Sequence, residues 1–250
     1  MMIFTIAARE LRSLFLSPLA WVILAVIEAI LAYFFLLYLD YYMQIQPQLT
    51  QLEGAPGITD MVVAPLLATA ATVLLLVTPL LTMRLISEEQ RNQSLALLMS
   101  APISISEIVL GKFCGILAFQ LLTLALILLM PLSLLMGGSL DAGMFLSAII
   151  GLLLLLASFS AIGLFMSTLT YQPVIAAISS FGVLVLLWII DFASTTGEKT
   201  ELFAYVSLLS HYQAMLKGIF NSSDFVYYVL VVVLFISLSI HRLDSKRVYG

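Results

Sequence analysis

The chain has 250 residues, 62% of them hydrophobic and 10% charged, with a net charge of −4 and a mean hydropathy of +1.15. A globular domain is about 45–50% apolar and about 25% charged, so this composition excludes a water-soluble fold and points to an all-α polytopic membrane protein. No basic stripe suited to a phosphate backbone is present, so nothing argues for a nucleic-acid partner, and the lone Cys114 excludes an intrachain disulfide or a cysteine zinc cluster.

Residues 2–15 come first. Ile3, Phe4, Ala7, Leu11, Leu14 and Phe15 share one helical stripe, with Thr5, Arg9, Arg12 and Ser13 elsewhere. That is the pattern of an amphipathic interfacial helix whose arginines meet anionic headgroups. The apolar run from Leu14 to Leu39 exceeds a signal peptide's core of about 7–15 residues and lacks a small-x-small site, so it reads as an uncleaved first span. Runs able to cross about 30 Å of hydrocarbon predict six spans, at about 19–39, 61–83, 107–136, 142–169, 172–191 and 224–241. Pro65, Pro79 and Pro131 are expected to kink or end turns of helix, and Tyr171-Gln172-Pro173 to form a tight turn.

Glu28 lies near the middle of the first span, where a carboxylate costs several kcal/mol unless paired or wet. It is a candidate for the translocation path. The structural alternatives are a protonated side chain bonded to a neighbouring helix, or a register that brings it nearer a surface.

Between spans two and three lies a charged island, Ser87 to Ser104. Ser87 with Gln90 fits a helix-opening capping box and Pro102 stops that helix, predicting about three turns over 87–99. Leu95 and Leu98 share one of its faces, while Glu88, Glu89 and Arg91 charge its first turns. Ser104 with Glu107 repeats the box and opens the next helix at about Ile105. Such a short helix is either an ordinary capped loop helix or a polar surface offered to a soluble partner.

Lysine and arginine set the orientation. Arg9, Arg12, Arg84, Arg91, Lys112, Arg242, Lys246 and Arg247 fall on one side of a six-span chain, and only Lys199 and Lys217 on the other. Both termini and the island are therefore expected in the cytoplasm. Ser158, Ser160, Ala161, Gly163 and Ser167 allow close helix approach, either within the chain or at a dimer seam. Leu202 to Tyr228 is an apolar segment interrupted by Ser, His, Gln and Lys, and Tyr205, Tyr212, Tyr227 and Tyr228 suit an interface belt.

No catalytic pattern emerges. Gly111-Lys112 is not a phosphate loop, since Ser106 stands where a Walker motif needs Gly and Phe113 where it needs Ser or Thr. His211 and His241 are isolated from each other, and neither Gly-x-Ser-x-Gly nor His-Glu-x-x-His occurs.

The run Glu88-Glu89-Gln90-Arg91-Asn92-Gln93-Ser94, then Leu97-Leu98 and Ala101-Pro102-Ile103-Ser104, and after these Glu107 to Lys112, resembles the signature of type 2 ATP-binding-cassette exporter permeases, in particular the gliding-motility type. Gln93 departs from it, standing where Gly is usual, as does Ala96, where an acidic residue often sits. Ser158 to Ile178 resembles the family's fourth-span ending, and Leu202 to Tyr228 the stretch that gliding-type permeases carry before their last span. The resemblance implies a non-catalytic transmembrane subunit of the bacterial inner membrane, multi-pass, with a second copy or a related permease beside it. It implies that 87–99 is a coupling helix on a cytosolic ATPase, formed by Ser87, Glu88, Glu89, Arg91, Gln93, Ser94, Leu95 and Leu98. Glu88, Glu89 and Arg91 would make its polar contacts, and Leu95 and Leu98 would anchor it. ATP and Mg would sit on that ATPase, with no cofactor on this chain, and 202–221 would form re-entrant or surface-lying helices at the outer mouth. Gliding-type relatives also imply an alternative, a membrane scaffold of an ATPase-driven envelope or motility machine with an accessory envelope protein.

Overall fold

The structure is a computed structural model that describes residues 2–49, 56–94, 103–136, 140–196 and 207–249. Among these residues all the regular structure is helical. The elements are α1 (Met2–Leu16), α2 (Pro18–Leu49), α3 (Ala64–Thr82, entered through a π-helical turn, Thr59–Val63), α4 (Ser87–Arg91), α5 (Ile105–Ser133), α6 (Ala142–Leu169), α7 (Pro173–Thr196), α8 (Leu208–Leu216) and α9 (Ser222–Tyr249). Six helical stretches among the described residues are long and apolar enough to cross a membrane: α2, α3 with its flanking turns, α5, α6, α7 and α9. The first runs to Leu49 rather than stopping at about 39, because the polar residues beyond Leu39 continue the helix, Gln44 Nε2 donating to Asp40 one turn earlier at 2.8 Å.

The bundle is built around α6, in whose apolar stretch 67% of the residues are buried, whereas the share is 22% in each of α2, α7 and α9. Lipid offers no hydrophobic drive for spans to associate, so small residues that let backbones approach decide which helix becomes central. On α6, a Cβ at Gly163 would lie 2.2 Å from Thr82 Oγ1 on α3, and one at Gly151 would lie 2.9 Å from Met215 Cβ on α8. Ser158, Ser160, Ala161, Gly163 and Ser167 are all buried, so this stripe packs within the chain.

Several polar groups inside the bundle find partners on neighbouring spans, whereas the hydroxyls of Ser147 on α6 and Ser180 on α7 are buried with no hydrogen-bond partner among the described residues. Gln120 on α5 donates to Thr78 Oγ1 on α3 at 3.2 Å and accepts from Ser160 on α6 at 2.7 Å, joining three spans at one level. Around Pro79, which lacks an N–H, the hydroxyls of Thr78 and Thr82 donate to the carbonyls of Leu74 and Thr78. Asp141 caps α6 through the amides of Gly143 and Met144, and its own amide donates to Thr59 Oγ1 at the same end of the bundle.

That end also carries α8, and one expectation changes there. Tyr212 and Tyr228 are buried rather than set in an interface belt, their hydroxyls donating to the carbonyls of Leu67 (3.2 Å) and Leu208 (2.6 Å). Burial pushes the Tyr212 phenol well above its usual range, so it stays a donor. Tyr227 stacks on His211, with ring centroids 4.3 Å apart, and His211 Nδ1 meets Asp224 Oδ1 at 2.6 Å, tying α8 to α9. Tyr205 and residues 202–206 of the expected outer segment lie outside the described residues.

Candidate functional site

At the opposite end, α1, α4, the turn after α6 and the last turns of α9 meet. The contact starts from two glycines, Gly111 and Gly115, four residues apart on α5. A Cβ on Gly111 would sit 2.7 Å from Ile6, and one on Gly115 2.7 Å from Glu10 Cβ, so α1 lies in a notch of small-xxx-small type. The notch sets the face that α1 turns to the bundle: Ile6 is buried, while Phe4, on the apolar stripe read from the sequence, is 79% exposed. Phe15 closes the corner, 5.6 Å from the Trp21 ring and 5.4 Å from Phe119, and Trp21 Nε1 donates to its carbonyl at 2.9 Å.

This docking delivers Glu10 to Lys112. The lysine is 1% exposed, and its Nζ lies 3.0 Å from Glu10 Oε2 and 2.9 Å from Glu89 Oε1 on α4. Arg9 adds a contact of 3.2 Å to the same Glu89 oxygen. A buried ammonium is tolerable only when carboxylates compensate its lost hydration, so this lysine fixes the positions of α1 and α4 together. Glu89 therefore faces inward.

The start of α4 is capped differently from what the sequence suggested. Its N-cap is Ile86, and Ser87 is not a capping residue but is buried, with its hydroxyl donating back to the Met83 carbonyl. Ser167 of α6 takes over, accepting from the amides of Ile86 (3.1 Å) and Ser87 (3.0 Å) while donating to Met83 O. Gln90 is also buried: its Nε2 donates to Thr168 O, and its Oε1 accepts from Lys246 of α9 at 3.0 Å. By contrast Ser104 and Glu107 form the expected capping box at the start of α5.

The expected three-turn helix is broken. α4 ends at Arg91 and Gln93 adopts φ +56°, the left-handed conformation that favours glycine. That is the position at which the resembled signature carries Gly. Glu88 is half-buried, and Arg91, Gln93 and Ser94 are exposed, whereas Leu95 and Leu98 lie outside the described residues. Gln90, Arg91 and Gln93 border an open groove completed by Tyr171, Gln172, Pro173 and Val174, the predicted turn between spans four and five. Glu28 lies on α2 apart from this cluster, with Oε1 buried and without a hydrogen-bond partner among the described residues.

The profile of one protein family, described as ABC-2 family transporter protein, matches residues 4–247. The chain belongs to the ABC-2 transporter family. A search among curated proteins finds no match. Membership makes the chain a multi-pass transmembrane permease subunit of the ABC transporter kind, in a class of subunits that is generally non-catalytic and that associates with an ABC ATPase subunit.

Two features of this ABC-2 permease escape a reading based on local patterns. The Gly111-Gly115 spacing has the form of a close-packing signal, but nothing near it in the chain identifies α1 as the helix it receives. The Lys112 triad joins residues 10, 89 and 112, and nothing local to any of them announces the other two.

Proposed function

We propose that this chain is the permease of an ATP-driven exporter of the gliding-motility type in a bacterial inner membrane, working as a dimer with itself or a related permease over two cytosolic ATPases. The observation that carries this is the two-sidedness of α4. Its inner residues are tied to α1, α5, α6 and α9, while Arg91, Gln93 and Ser94 stay exposed beside the groove at Tyr171 to Val174. An element that receives force from a soluble partner needs this arrangement, since a loose helix would move without moving the spans. Arg9, Arg84, Arg91, Lys112 and Lys246 gather at this end, which supports a cytoplasmic placement.

In this reading the ATPase docks on Arg91 and Gln93 and extends to Tyr171 and Gln172. Glu89 acts from inside, passing displacement of α4 to Lys112 and α1. ATP-driven closure of the ATPases then shifts the bundle as a rigid body and opens the path between the two permeases, with Glu28 of α2 lining it. Purification of the tagged chain from membranes, with identification of co-purifying proteins, tests the assignment. Wild type is expected to bring down a Walker-motif ATPase with vanadate-sensitive hydrolysis, and Arg91→Glu to lose it while the permease stays folded. Undiminished ATPase capture by Arg91→Glu together with Gln172→Glu would remove α4 from the docking surface.

A further inference from the structure

On the side of α4 that faces α1, a cavity of about 450 Å³ opens between α1, the start of α2 and the end of α3. Its size falls in the range of small-ligand pockets, about 300–1,000 Å³. Leu19, Ala20, Leu80 and Leu81 make an apolar wall continuous with the membrane-facing surface, Leu19 being 40% and Leu80 44% exposed. Six charged side chains line the cavity, and four of them, Arg9, Glu10, Glu89 and Lys112, neutralise one another in the ion pairs described above. The remaining two, Arg84 and Glu88, form no ion pair among the described residues. They stand four residues apart, one cation and one anion at the mouth of an apolar groove where the spans end.

We infer that this cavity holds one phospholipid with a primary-amine zwitterionic headgroup, of the phosphatidylethanolamine class. The phosphate lies on Arg84, the ammonium on Glu88, and the first methylenes of an acyl chain along Leu80 and Leu81. The charge balance selects the headgroup. An anionic lipid such as phosphatidylglycerol would satisfy Arg84 but offer Glu88 only a neutral hydroxyl and leave its charge uncompensated, and a quaternary choline has no N–H for a carboxylate to accept. The apolar wall selects a lipid over a soluble phosphoamine. Because the occupant would touch α1, α3 and α4 together, it would stiffen the joint around the Lys112 triad. The inference needs the membrane-spanning fold and not the docking assignment, which concerns the opposite side of α4.

Native mass spectrometry of the full chain, purified in mild detergent and titrated with dioleoyl phosphatidylethanolamine, phosphatidylcholine or phosphatidylglycerol, tests it. One phosphatidylethanolamine per chain should be retained at least about tenfold better than the other two, the factor expected from one charge-assisted hydrogen bond. Glu88→Gln should erase that preference, and Arg84→Gln should weaken retention of all three lipids. Neither change touches an ion pair of the fold, so both variants should remain folded. Soluble glycerophosphoethanolamine should fail to displace the lipid. Equal retention of the three lipids by wild type, an unchanged preference in Glu88→Gln, or displacement by the soluble headgroup would each overturn the inference.

Discussion

Replacing Lys112 with Met keeps an unbranched chain of similar length in the notch beneath α1 and removes its charge. Breaking a buried ion pair by deleting one partner typically costs about 3–5 kcal/mol, because the other partner is left uncompensated. Here Glu89 keeps Arg9, but that arginine is 58% exposed and such a pair contributes about 0–1 kcal/mol. Glu10 keeps no ion-pair partner among the described residues. Both carboxylates retain some water, at 15% and 18% side-chain exposure, which places the expected cost near the lower limit, about 3 kcal/mol. For a chain of this length that lowers the unfolding midpoint by roughly 6–12 °C, measurable by tryptophan fluorescence in detergent. Adding Glu10→Gln and Glu89→Gln to Lys112→Met removes the uncompensated charges and should recover most of the loss, as the coupling of residues in one network requires. A Lys112→Met protein that melts within about 1 °C of wild type, or a triple variant no better than the single, would refute the claim that this lysine holds the joint.

Other substitutions probe separate contacts. Gly163→Ala places a Cβ where Thr82 Oγ1 lies at 2.2 Å, and should cost about 1–3 kcal/mol by overpacking α3 against α6, read as a lower midpoint in the same assay. Gln93→Gly removes the strain of a left-handed glutamine and should stabilise by about 0.5–1 kcal/mol, with amide exchange slowed at Asn92 and Ser94. Gln120→Leu strips Ser160 of its acceptor across the spans and should cost about 0.5–1.5 kcal/mol, the usual worth of an interhelical hydrogen bond in a membrane. Gln120→Glu keeps an acceptor there and should cost less when its carboxyl is protonated, which a comparison of midpoints at two pH values would reveal.

The spans were legible because each depends on a local property, an apolar run long enough for the bilayer, and six such runs survive in the fold. The Ser104–Glu107 box was legible for the same reason, being complete within four residues. The start of α4 was not. Ser87 and Gln90 have the right spacing for a box, yet Ser167 supplies the cap from α6 and both residues turn inward, a choice made by tertiary contact that no local pattern records. Which side of α1 meets the bundle was not legible either. An apolar stripe says nothing of a protein neighbour, and the glycine notch on α5 receives Ile6 and Glu10 by shape. Tyr212 and Tyr228 have the composition of a belt, and only their carbonyl partners show them to be internal struts.

The supports of α4 also carry an order in time. Glu10 precedes it in the chain, while Lys112 comes with the third span, Ser167 with the fourth and Lys246 with the sixth. As a nascent chain is inserted span by span, the charged joint can close when α5 arrives, yet Gln90 stays without its lysine until α9 is in place. The inner seat of α4 is therefore complete only when the whole bundle has assembled. A half-inserted chain would hold α4 by only part of its supports.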